Sequence, residues 1–119
     1  MKKEKWVWMP HAGHFISANR CQFKLNTYVG KYIVSTVGEL PKTGIDYAYD
    51  KPDNDPYMNQ FAEIGAGRKY ETMVFKARKS KHKCCHYEII VSDEVDLKAY
   101  NTADDAYAGH LELCDKWSS

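Results

Sequence analysis

Charge of one sign is what this chain lacks most plainly: seventeen Lys and Arg stand against sixteen Asp and Glu, a formal net charge of +1. No global field therefore singles out nucleic acid or an anionic membrane as its partner. Apolar runs of bilayer-spanning length are missing too. The apolar stretch behind Met1, Lys2, Lys3, Glu4 and Lys5 stops at Pro10 and His11, too short for the core of a secretory signal. There is no internal repeat and no low-complexity tract. The four cysteines include no Cys-x2-Cys pair, which excludes the compact zinc-finger spacings. The run from Gly65 through Gly67 to Lys69 lacks the third glycine and preceding strand of a dinucleotide fingerprint, and the Gly-Lys-Ser/Thr of a phosphate loop. It reads as a tight turn. These absences predict a cytoplasmic protein in a reducing compartment, whose thiols are buried or bind metal rather than pair as disulfides.

Aromatic residues make up 13% of the chain, with nine Tyr and three Trp, which suits a packed, sheet-rich fold and not a disordered one. At 119 residues the chain forms one domain, able to bury roughly two-thirds of its unfolded surface without staples. Residues 6–16 read as an interrupted strand, with Pro10 marking an edge or a bulge. From 21 to 29, Cys21, Phe23, Leu25, Thr27 and Val29 alternate with polar neighbours, and Gly30-Lys31 makes a two-residue hairpin into Tyr32–Val37. The Pro-, Gly-, Asp- and Tyr-rich stretch 38–55 reads as a long surface loop, and 56–64 as a short helix. A strand from Tyr70 to Ala77, with Met73, Phe75 and Ala77 inward, is expected to pair with one from Cys84 to Ser92. The predicted fold is α+β: an antiparallel sheet of about five strands in two hairpins, with a C-terminal helix on its apolar face.

That helix carries the strongest local signal. Thr102 is placed to cap it, Asp104 and Asp105 suit the positive end of its dipole, and Ala103, Ala106, Tyr107, His110, Cys114 and Trp117 share one stripe. His110 and Cys114 are thus one turn apart on the face meant for the core. With Cys21 and Cys85 on apolar strand faces, three thiols and one imidazole point inward, the composition of a closed structural zinc site. His14 is an alternate ligand because distortion at Pro10 leaves the face of its strand open, and Cys84 is one because a slip of register by one residue exchanges the faces of a strand. The same residues also fit plain core thiols beside a hydrogen-bonded histidine. A nucleophilic thiol would have to be Cys84 or Cys85, beside Lys83 and His86, but no Asp or Asn is placed to orient that histidine. No enzyme is predicted.

The charges cluster locally. Lys76, Arg78, Lys79, Lys81 and Lys83 form a basic knob, either a solvated hairpin tip or a phosphate-contacting surface. Asp46, Asp50, Asp53 and Asp55 make an acidic stretch with Tyr47, Tyr49 and Tyr57, a composition suited to a protein-binding surface.

Four strings, Trp-Met-Pro-His-Ala-Gly-His-Phe (8–15), Tyr-Ile-Val-Ser-Thr-Val-Gly-Glu (32–39), Gly-Arg-Lys-Tyr-Glu-Thr-Met-Val-Phe (67–75) and Tyr-Asn-Thr-Ala-Asp-Asp-Ala-Tyr-Ala-Gly-His (100–110), resemble a group of small phage and prophage proteins of unassigned function. Members of that group carry a cysteine four residues before the position of Cys21, where this chain has Ser17. By class alone, the resemblance implies a phage-encoded, zinc-stabilised binding protein in the host cytoplasm that inhibits a host defence complex, in the manner of an anti-CRISPR protein blocking nucleic-acid loading by a CRISPR effector nuclease. The alternative is a nucleic-acid-binding phage accessory protein that uses the basic 76–83 hairpin.

Overall fold

The computed structural model describes residues 6–9, 20–49, 52, 54–64, 67–80 and 87–118. Its organising unit is the first hairpin. Strand β2 (Phe23–Tyr28) pairs antiparallel with β3 (Tyr32–Gly38), so that Thr27 faces Val34 and Leu25 faces Thr36. Gly30, at φ +90°, makes the turn, and the Val29 amide donates to the Tyr32 carbonyl at 2.8 Å. Strand β1 (Val7–Trp8) adds to the free side of β2, placing Trp8 opposite Thr27. Strand β6 (Tyr70–Lys79) pairs with β3, and β7 (Tyr87–Tyr100) pairs with β6. The sheet is therefore antiparallel in the order β1-β2-β3-β6-β7, five strands, as the sequence predicts.

Helix α2 (Ala103–Trp117) lies on one face of this sheet. The Thr102 hydroxyl accepts from the Asp105 amide at 3.1 Å, Asp104 and Asp105 sit in the first turn, and Lys116 sits in the last. Its buried side is Ala106, Gly109, His110, Leu113 and Cys114. Leu113 and Cys114 pack with Val29, Val34 and Val74 to make the main core cluster. At the far end, Lys116 Nζ and Trp117 Nε1 both donate to the Asp96 carboxylate at 3.0 Å, which clamps the last turn of the helix to β7.

Four expectations are corrected. Stretch 38–55 is not all loop: after Glu39, a non-glycine residue at φ +56°, it holds β4 (Leu40–Pro41) and α1 (Gly44–Tyr49). The helix expected at 56–64 is one 3-10 turn, Met58–Gln60, followed by β5 (Phe61–Ala62), which pairs with β4 in a second small sheet. Two-residue strands are too short to show any periodicity. Strand β7 runs to Tyr100, well past Ser92, because an edge strand tolerates the charges at Asp93, Glu94 and Asp96 that look like a terminator in sequence. Finally, Met73 and Phe75 do not face the helix. The register Val34–Val74 and Thr36–Thr72 puts Tyr70, Thr72 and Val74 on that side, and both faces of β6 are buried, with Val74 at 0% and Phe75 at 2% exposure. Register shifts on either side of Phe75 then bend the β6–β7 arm. The Ala77 amide reaches the Lys31 carbonyl at 2.9 Å, and Tyr87 stacks on Tyr28 at 3.7 Å between ring centroids.

Gly109 is where the helix comes closest to the sheet. A Cβ built there meets the Tyr100 ring and hydroxyl directly. Gly109→Ala is expected to cost about 1–3 kcal/mol through overpacking, despite alanine's better helix propensity. Ala108→Ser, on the exposed side of the same turn, should stay within about 0.5 kcal/mol of the parent in urea unfolding.

Candidate functional site

The sequence directs attention to His110, and the structure shows how it is held. Nε2 lies 2.8 Å from the Thr27 hydroxyl of β2, and Nδ1 lies 2.6 Å from the Thr36 hydroxyl of β3. Thr36 is in turn 2.6 Å from the Thr72 hydroxyl of β6. Trp8 closes the remaining side, stacked on the imidazole at 5.4 Å between centroids, and His110 is fully buried. A neutral imidazole offers one donor and one acceptor, and a hydroxyl supplies either, so the chain Thr27–His110–Thr36–Thr72 closes in both tautomers. The Tyr100 hydroxyl is buried beside Thr72 without a well-formed hydrogen bond.

Electrostatics follow from burial. Desolvation pushes the His110 pKa down to about 4, and no carboxylate offsets it. Desolvation likewise pushes the Cys114 thiol up to about 12, only partly relieved by a hydrogen bond with Thr27. A neutral, dry imidazole beside a protonated thiol supplies neither a solvent-facing base nor a thiolate nucleophile. What this cluster does is tie α2 to three strands.

Of the expected zinc ligands among the described residues, His110 and Cys114 are brought together and Cys21 is not. Cys21 precedes β2 and does not continue its alternation: it packs with Val37, Leu40 and Ile64, in a cluster separate from the one that holds Cys114. Val37 pairs with Lys24 and so lies on the sheet face opposite Thr36 and the helix. Both nitrogens of His110 are already engaged by hydroxyls. Among the described residues, no three His, Cys, Asp or Glu side chains gather as metal ligands. Cys85, Cys84 and His14 lie outside the described residues.

The charged surfaces are placed at opposite ends of the sheet. Lys76 and Lys79 are exposed near the end of β6, and Arg78 Nε donates to Glu88 at 2.9 Å. Lys76 pairs with Tyr32, which puts the exposed Lys31 of the β2–β3 turn beside this group, a basic neighbour that its sequence distance conceals. Lys81 and Lys83 lie outside the described residues, as do the side chains of Tyr47 and Tyr49 on α1. At the other end, Glu39, Asp55 and Asp104 line a cleft of about 370 Å³ with Tyr57, Met58 and Tyr70. The Tyr70 hydroxyl donates to Glu39 at 2.9 Å, and burial, then this bond, raises its pKa.

Thr27, Thr36 and Thr72 are the site residues that sequence reasoning missed. The signal was present for Thr27: alternation put it on the inward face between Leu25 and Val29, and an inward hydroxyl needs a partner.

Because the unfolded imidazole titrates near 6.5 and the folded one near 4, the unfolded state takes up a proton first as pH falls. Stability should therefore be complete above about pH 6.5 and decline toward pH 4 by about 3 kcal/mol. Urea midpoints across that window should show this slope, and His110→Gln should remove it while lowering stability at neutral pH.

No family model matches the chain, and no curated protein or solved structure among those compared matches it either.

Proposed function

We propose that this chain is a binding protein of the phage anti-defence kind, which occupies the nucleic-acid-loading surface of a host defence complex through its acidic end. The observation that carries this reading is the acidic cleft at the end of β3. Glu39, Asp55 and Asp104 line one cleft where β3 ends and α2 begins, with the exposed Tyr57 and the half-buried Met58 beside them. Carboxylates around an aromatic are the chemistry that meets a basic, nucleic-acid-binding cleft. The imidazole and the thiols among the described residues, His110, Cys21 and Cys114, are buried, which favours binding over histidine or thiol chemistry. The phage resemblance of the four strings supplies the choice of partner: a CRISPR effector nuclease is the specific candidate. This reading does not draw on the zinc expected at Cys21, Cys85, His110 and Cys114, where His110 engages Thr27 and Thr36.

A second reading, nucleic-acid binding by a phage accessory protein, is favoured by Lys31 joining Lys76 and Lys79 at the basic end. The two readings separate by charge reversal. Plaque counts on immune and non-immune hosts are expected to show rescue by the parent chain, with Asp55→Lys/Asp104→Lys losing it and Lys31→Glu/Lys76→Glu/Lys79→Glu keeping it. No rescue across a panel of defence systems overturns the first reading. For the second, log affinity for duplex DNA should fall with log salt at a slope of about −3, flattened by the triple lysine variant. Affinity indifferent to salt excludes it.

A further inference from the structure

We draw no further inference here: the strongest candidate, the cleft of about 370 Å³ that Glu39, Asp55 and Asp104 line between the end of β3 and the start of α2, belongs to the site already described and is an acidic cluster to which the described residues add no second feature that points to a ligand.

Discussion

His110 reaches from the middle of α2 into the sheet and bonds two adjacent strands at once, through Thr27 on β2 and Thr36 on β3. The helix and the first hairpin are therefore fixed relative to each other by directional contacts as well as by apolar area. A shift of one residue in the β2–β3 register would send one of the two hydroxyls to the far face and leave a buried ring nitrogen unpaired, at a cost of about 1–3 kcal/mol. Around this centre Cys114, Leu113, Val29, Val34 and Val74 supply the non-directional burial. Trp8 contributes from a strand of only two residues, so the stack on His110 also secures the short edge strand β1.

The helix carries its own polarity into the surface. Its N-terminal turn bears Asp104 and Asp105, and its last turn bears Lys116, in the sense that complements the backbone dipole. At the end of β3, Glu39 and Asp55 line one cleft, and Lys31, Lys76 and Lys79 gather at the opposite end of the sheet.

Much of the fold was legible where a period was long enough to read. Alternation from Phe23 to Val29 with glycine at 30 specified the first hairpin, and the Thr102 cap with the 103–117 stripe specified α2 nearly to the residue. The edge strand was cut short because Asp93, Glu94 and Asp96 resemble a loop to any rule that equates strands with apolar alternation. Cys21 looked like the first inward position of β2. The strand begins two residues later, and parity does not extend across a chain that has not yet entered the ladder. The threonines were invisible as a group because 27, 36 and 72 are distant in sequence and become neighbours only through two registers.

By itself, the sequence determined which segments are strand and helix in the central hairpin and at the C-terminus, and that His110 and Cys114 face inward, since local periodicity and capping act within a few residues. Tertiary structure decided what those inward groups meet. Pairing of β3 with both β2 and β6 delivered hydroxyls to the imidazole, and the packing of Gly109 on Tyr100 let the helix approach the sheet closely. Contacts between residues 36 to 83 positions apart depend on register and burial, which no short window of sequence encodes.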